Sequence, residues 1–282
     1  MSTVPAIQQT GKSDGHVNGH DGKITAFFTD STLCIGCKAC EVACKEWNQI
    51  SEDGYQWSSF SYDNTMAVGH STWRHVKFVE TPTTVGLGGN AAGELQGWGF
   101  SSDVCKHCEQ AGCLEACPTG AIVRMEFGAV FVQPDVCNGC SYCVVSCPFG
   151  VVEKNPEDGR AFKCTFCSDR QKAGLKPACA QACPTESIKF GEISELRAEA
   201  HDRLEQLKAR GVDDAVIYDP VDTSVKGIHA FFLVRGDPRA YNLPPEPEIP
   251  TIYQKKAWKS AAVAAGAMLG ATLLAFLGEN RR

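Results

Sequence analysis

The alternation of apolar and polar positions predicts several short strands, one amphipathic helix and one unbroken apolar stretch near the end of the chain. Residues 1–22 are polar and glycine-rich and read as a disordered leader. Residues 23–30 (Lys-Ile-Thr-Ala-Phe-Phe-Thr-Asp) and 70–80 predict strands, and so do 187–190 and 229–235. Ile122-Val123 and Val130-Phe131-Val132 predict a small hairpin, whereas the glycine-rich stretch 81–99 predicts a surface loop. Residues 194–210 predict a helix with Ile193, Leu196, Ala200, Leu204 and Leu207 on one face and Gly211 as its stop. A single apolar stripe is normal for a surface helix, so this one reads as cover over a sheet rather than as a docking helix.

The apolar stretch at the end has a different character. Residues 243–250 (Leu-Pro-Pro-Glu-Pro-Glu-Ile-Pro) read as a semi-rigid proline-rich spacer. Residues 260–277 carry no charge, and as a helix they would span roughly 27 Å against a hydrocarbon core of about 30 Å. Trp258 stands where an interfacial anchor belongs, with Lys255, Lys256 and Lys259 beside it. The rival is an alanine-rich helix buried in soluble protein; the flanking charges, spacer and terminal position favour a membrane helix. Ala262, Gly266 and Gly270 form a small-xxx-small pattern suited to packing on a partner's helix.

Composition changes the picture through cysteine. The 282 residues contain 16 cysteines. All fall into four quartets: 34/37/40/44, 105/108/113/117, 137/140/143/147 and 164/167/179/183. The two middle quartets read Cys105-x2-Cys108-x4-Cys113-x3-Cys117-Pro and Cys137-x2-Cys140-x2-Cys143-x3-Cys147-Pro. This is the ligand spacing of bacterial ferredoxins, in which the fourth cysteine of each run ligates the other run's cluster. The first quartet, Cys34-Ile-Gly-Cys37-Lys-Ala-Cys40-Glu-Val-Ala-Cys44-Lys-Glu-Trp47, lacks the proline, so a short helix can continue through Trp47. The last, Cys164-Thr-Phe-Cys167 to Cys179-Ala-Gln-Ala-Cys183-Pro184, carries an insert of eleven residues. Disulfides would suit a small secreted scaffold. Zinc uses pairs of C-x2-C, whereas three of these quartets end in C-x3-C-P, so the spacings favour iron–sulfur clusters. The quartets thus form an internal repeat, with the middle pair as one unit and the first and fourth as the other.

Other chemistry is thin. A net charge of −6 gives no nucleic-acid footprint. Gly86-Leu-Gly88-Gly89 lacks the strand–turn–helix setting of a dinucleotide site, and no catalytic constellation stands out. His107 lies between two candidate ligands and reads as a partly exposed bystander rather than a residue that tunes a cluster. Lys106 and Lys45, also beside ligands, either raise a cluster's potential or solvate the surface. Residues 1–22 hold no apolar segment, and no arginine precedes Arg74, so neither a Sec nor a twin-arginine signal is expected.

From residue 23 to 277 the chain resembles the beta subunit, with four 4Fe–4S clusters, of membrane-bound molybdenum or tungsten formate dehydrogenases. The resemblance rests on the first quartet through Trp47-Asn48, on Lys163-Cys-Thr-Phe-Cys167 to Pro177-Ala-Cys179, and on the single terminal helix. Subunits of polysulfide, thiosulfate, dimethyl sulfoxide and nitrate reductases share the four-quartet plan; the nitrate type replaces one ligand with tryptophan, and here all sixteen cysteines stand.

The resemblance implies four ligand sets: Cys34, Cys37, Cys40 and Cys183; Cys44, Cys164, Cys167 and Cys179; Cys105, Cys108, Cys113 and Cys147; and Cys117, Cys137, Cys140 and Cys143. It implies an α+β fold of two interlocked ferredoxin-like units with a C-terminal transmembrane helix. The expected divisions are a leader (1–22), an outer unit (23–99 with 151–192), an inner unit (100–150), a covering helix and strand (193–243), a stalk (244–257) and a transmembrane helix (258–278).

It also implies a non-catalytic electron-transfer subunit between a molybdenum or tungsten catalytic alpha subunit and a membrane cytochrome b gamma subunit. The alternatives are the same role in a polysulfide-, thiosulfate- or sulfoxide-type enzyme, or a zinc-stabilised scaffold. The lysines before the terminal helix favour a cytoplasmic cluster domain. The resemblance implies a periplasmic one, exported on the catalytic partner's twin-arginine signal, and that reading is preferred.

Overall fold

The computed structural model describes residues 24–52, 63, 65–82 and 95–279. The predicted leader, and residues 83–94 of the predicted glycine-rich loop, lie outside the described residues. In chain order the first elements are β1 (Thr25–Asp30), α1 (Ala39–Asn48), β2 (Arg74–Pro82) and β3 (Leu95–Val104). Then come α2 (Gly112–Glu115), β4 (Ile122–Arg124), β5 (Val130–Val132), α3 (Tyr142–Val145), β6 (Glu153–Lys154) and β7 (Ala161–Phe162). The second half holds α4 (Ser168–Lys172), α5 (Ala178–Gln181), β8 (Ile188–Glu192), α6 (Ile193–Ala209), β9 (Ala215–Tyr218), β10 (Ala230–Arg235) and α7 (Gln254–Glu279).

The main sheet has the order β8-β1-β10-β9. β1 runs antiparallel to β8 and parallel to β10, so the first and last strands of the body lie side by side. Ala26, Phe27, Phe28, Thr29 and Asp30 are all buried, because β1 is covered on both faces. On one face α6 packs against β1, β8 and β9 through Leu196, Ala200 and Leu207, each leucine contributing roughly 1.5–3 kcal/mol of burial. On the other face the ring of Phe27 meets Phe166 edge-on at 5.1 Å, and Phe166 lies 4.4 Å from the His107 ring, tying the sheet to the cysteine-bearing loops.

Three expectations need correction. The stretch 81–99 is not only a loop: β2 extends to Pro82, and β3 starts at Leu95 and pairs with it antiparallel, Phe78 opposite Phe100. Gly99 suits this strand because a Cβ there would lie 2.5 Å from the Tyr241 hydroxyl. Residues 193–243, read as a covering helix and one strand, hold a second strand as well: β9 joins the expected β10, and together they make half of the main sheet. The proline-rich segment, read as a spacer, is a strap held against the body. Leu243 and Ile249 are 1% and 0% exposed, Ser224 donates to the Pro247 carbonyl and accepts from Ile249 N, and Tyr218 donates to the Pro244 carbonyl. The strap ends in the turn Pro250–Tyr253, where Thr251 bonds Glu115 of α2, and α7 continues from there. α7 is exposed along the whole of residues 254–277.

Candidate metal centres

The four cysteine loops repeat one backbone form. The residue before the second cysteine has positive φ in every quartet: Gly36 (69°), His107 (45°), Gly139 (71°) and Phe166 (62°). Such left-handed residues turn successive N–H groups inward and make a concavity suited to an anion. For a bulky Phe166 this backbone is strained, by about 1–3 kcal/mol. Its contact with Phe27, deep in the core, holds it in place. After the C-x3-C-P steps, Gly120, Gly150 and Glu186 again take positive φ and turn the chain back.

These loops bring the cysteines into four sets. Cys34, Cys37, Cys40 and Cys183 line one cavity of about 290 Å³. Cys105, Cys108, Cys113 and Cys147 line another of about 310 Å³. Cys117, Cys137, Cys140 and Cys143 line a third of about 300 Å³. Cys44, Cys164, Cys167 and Cys179 form the fourth group: burial pushes the Cys44 thiol up, and the other three raise it further. The sets also lie in series. Charge on Cys179 raises the Cys40 thiol, charge on Cys105 raises Cys164, and charge on Cys143 raises Cys113, so each set lies within electrostatic reach of the next.

The enclosure is graded. Cys44, Cys164, Cys167 and Cys179 are all buried, whereas Cys37 and Cys140, in the two end sets, are exposed. Burial pushes Cys40 up to about 12 and both Cys143 and Cys167 up to about 11. Cys117 moves the other way: burial raises it, but hydrogen bonds from the Thr119 side chain and from the backbone N–H groups of Thr119, Ala121 and Ile122 bring it below its ordinary value.

Four thiols gathered away from water resist ionising together, and bound metal cations are what hold such sulfurs as thiolates. Among the described residues no three His, Cys, Asp or Glu side chains converge closely enough to hold a single metal ion. Each of the three cavities is instead bounded by four cysteines, the number of protein ligands that a 4Fe–4S cluster takes.

The surroundings correct the reading of His107 and Lys106. His107 is 1% exposed, its Nδ1 accepts from Val130 N at 3.1 Å, and it lines the Cys105 cavity. Burial first, then Lys163, holds its pKa well below the ordinary range, so it stands there neutral. Lys106 is wholly buried, paired with Asp103 and placed over the rings of Phe149 and Phe232. It does not solvate the surface. Lys45 reaches the Ser71 carbonyl at 2.7 Å.

Sequence reasoning missed Arg74, Ser102 and Lys163. Arg74 donates to the Ser102 hydroxyl at 3.0 Å, and that hydroxyl lies 3.3 Å from Cys40 Sγ. Lys163 donates to the carbonyls of Val130 and Cys164. The neighbouring ligands in sequence were the only available signal for Lys163; nothing local marked Arg74 or Ser102 as buried.

Comparison with known proteins agrees with this geometry. Family models described as 4Fe-4S dicluster domain match residues 33–122 and 96–193. The formate dehydrogenase iron-sulfur subunit of Haemophilus influenzae is 38% identical over 259 residues, 89% of this chain and 80% of that protein. The formate dehydrogenase-O iron-sulfur subunit of Escherichia coli is 39% identical over 260 residues, 90% of this chain and 83% of its own length. The thiosulfate reductase electron transfer subunit of Salmonella typhi is 39% identical over 167 residues, but these cover only 59% of this chain and 74% of that protein. Two matches to dicluster domains and a likeness that extends over nine-tenths of the chain lead to one family: the chain belongs to the iron–sulfur subunits of formate dehydrogenase.

Proposed function

We propose that this chain holds four 4Fe–4S clusters in two interlocked ferredoxin-like units and carries electrons from a formate-oxidising molybdenum or tungsten subunit to a membrane cytochrome b. When bound, such clusters supply one-electron carriers whose potentials respond to burial, charge and hydrogen bonds at sulfur. The ligand sets are Cys34/37/40/183, Cys44/164/167/179, Cys105/108/113/147 and Cys117/137/140/143. The observation that carries the proposal is the exchange of fourth cysteines: Cys183 lies with Cys34, and Cys147 lies with Cys105. That exchange ties 23–99 to 151–192 as the outer unit and closes 100–150 as the inner one.

The serial placement of the sets supports an order that begins at Cys37 and ends at Cys140, the two exposed ends. Exposed apolar residues flank each end: Ile35 and Val42 at the first, Val136, Tyr142 and Val145 at the last. The strap rests on α2, which carries Cys113 and leads on to Cys117, so the inner unit is the one beside the terminal helix. The catalytic partner accordingly belongs at the Cys37 end and the cytochrome at the Cys140 end. Residues 258–278 cross the membrane with the cluster domain on the periplasmic side, and the Gly266/Gly270 face meets the cytochrome. No histidine lies within 260–277, so haem ligands come from that partner. The chain has no substrate site of its own in this scheme. Its residues bind the clusters, exclude water and fix their spacing.

Anaerobic reconstitution tests the proposal. Four quartets require about sixteen irons and sixteen sulfides per chain. A colourless protein with about one tightly bound zinc per quartet would refute it. Replacing Cys117 with alanine should remove the paramagnetic signal of the Cys137/140/143 cluster and spare that of Cys105/108/113. Loss of the latter instead would mean that each run closes on itself.

A further inference from the structure

Four long cationic side chains are buried among the described residues: Arg74, Lys106, Lys163 and Arg170. Three are satisfied by protein groups. Lys106 has the Asp103 carboxylate, Lys163 has two backbone carbonyls, and Arg170 donates to the Lys176 carbonyl and to Gln181 while stacking 4.2 Å from Trp47. Arg74 is not. It is 1% exposed, none of the ion pairs among the described residues includes it, and its Nε and Nη2 find no hydrogen-bond partner there.

A buried guanidinium without an anion is costly, since an isolated charge in a protein interior loses its hydration and gains nothing in return. The anions around Arg74 are sulfurs. Burial works against its charge, yet Cys179, Cys40, Cys164 and Cys44 together raise its pKa. Those four cysteines belong to two different sets, with Cys40 in the first and the others in the second. The Phe27 ring under the guanidinium also meets Phe166, between Cys164 and Cys167 of the second set, so Arg74 stands at the junction of the two. Its Nη1 donates to Ser102, to the carbonyl at 3.4 Å and to the hydroxyl at 3.0 Å, and that hydroxyl lies 3.3 Å from Cys40 Sγ, where a thiolate would accept its proton. Phe27 holds the guanidinium from one face, 4.7 Å from its ring centre.

We infer that Arg74 is the shared counter-ion of the two outer-unit clusters and, with Ser102 as its arm to Cys40, sets their reduction potentials. The inference rests on the four-cluster reading above. A fixed cation favours the reduced, more negative state of each cluster beside it, and a hydrogen bond to sulfur acts in the same sense. Arg74 is a positioning residue with an electrostatic effect on two carriers, whereas Ser102 acts on one.

The experiment is a redox titration of the purified, membrane-extracted complex, followed by electron paramagnetic resonance, with iron and sulfide measured on each sample. In Arg74→Met both outer clusters should move to more negative potential. At the wild-type midpoint their ratio of reduced to oxidised cluster should fall about tenfold, which is about 59 mV for a one-electron couple. The inner pair should stay in place. Ser102→Ala should shift only the cluster held by Cys34, Cys37, Cys40 and Cys183, and Arg74→Lys should restore most of the potential of both.

Unchanged outer midpoints in a fully loaded Arg74→Met would overturn the inference and leave the four-cluster reading intact. If Arg74→Met loses its outer clusters, Arg74→Lys decides. Retention of about sixteen irons with outer midpoints near wild type supports the charge role; loss of clusters there too overturns it. Wild-type complex that lacks sixteen irons would instead strike the four-cluster reading itself.

Discussion

Ile249→Ala tests whether the strap is part of the body. Ile249 is fully buried and its side chain abuts Gly112 of α2. Removing three carbons at about 0.8 kcal/mol each, plus a modest cavity term, gives about 3 kcal/mol. The strap is a local element with few hydrogen bonds of its own, so this energy should appear as easier local opening rather than global unfolding. When opening is fast relative to cleavage, proteolysis follows the open population. A loss of about 3 kcal/mol then corresponds to roughly a hundredfold faster cutting. The assay is limited proteolysis of the cluster-loaded complex, with cuts mapped between residues 243 and 253. A rate within threefold of wild type would refute the packing argument. Accelerated cutting spread over the whole chain would show that the strap is no separate unit.

Ending the chain at Tyr253 keeps the strap and removes α7; all four clusters should remain, the complex should leave the membrane fraction, and formate oxidation should no longer reduce quinone. Sedimentation with membranes together with retained quinone reduction would show that the anchor lies elsewhere. Gly139→Ala places a Cβ 2.3 Å from the Gly159 carbonyl at a residue with φ of 71°, so the Cys137/140/143 cluster should be lost selectively, visible as about four irons fewer per chain. His75 is buried; burial lowers its pKa, but contacts to Asp63 at 2.8 Å and Glu41 at 3.5 Å raise it to about 9. A raised folded-state value means that the stabilisation is complete below about pH 6.5 and is lost as pH rises through about 9. His75→Gln should therefore destabilise the protein by on the order of 3 kcal/mol at pH 6 and by little above pH 9.5, measured as the midpoint temperature of cluster bleaching. A pH-independent difference would remove the role assigned to this network.

The ligand loops were legible because their information is local. Cysteine spacing, the prolines after Cys117, Cys147 and Cys183, and the hairpin of β4 and β5 all sit within a few residues of one another. The terminal helix was legible for the same reason, through an uncharged run of sufficient length. What escaped notice depends on distant contacts. β3 hides among glycines whose purpose appears only when Tyr241 arrives against Gly99. The parallel pairing of β1 with β10 joins residues some two hundred positions apart, which no periodicity announces. Arg74 reads as an ordinary strand residue until the cysteines of two loops close around it. The strap was mistaken for a spacer because its prolines hid the one fact that matters: Leu243 and Ile249 have somewhere to go.

The exchange of cysteines between distant loops also imposes a timetable. On the ribosome, the group that includes Cys143 is the first whose members have all been translated, followed by the group ending at Cys147. The group that opens with Cys34 waits for Cys183, on the order of ten seconds later at about 5–20 residues per second. Through that interval the earliest thiols made have no complete site, and the first strand, β1, has neither of its neighbours β8 and β10. The amino-terminal segment is thus the last part of the body to mature, and cells short of iron should accumulate chains that are finished in the middle and open at the start.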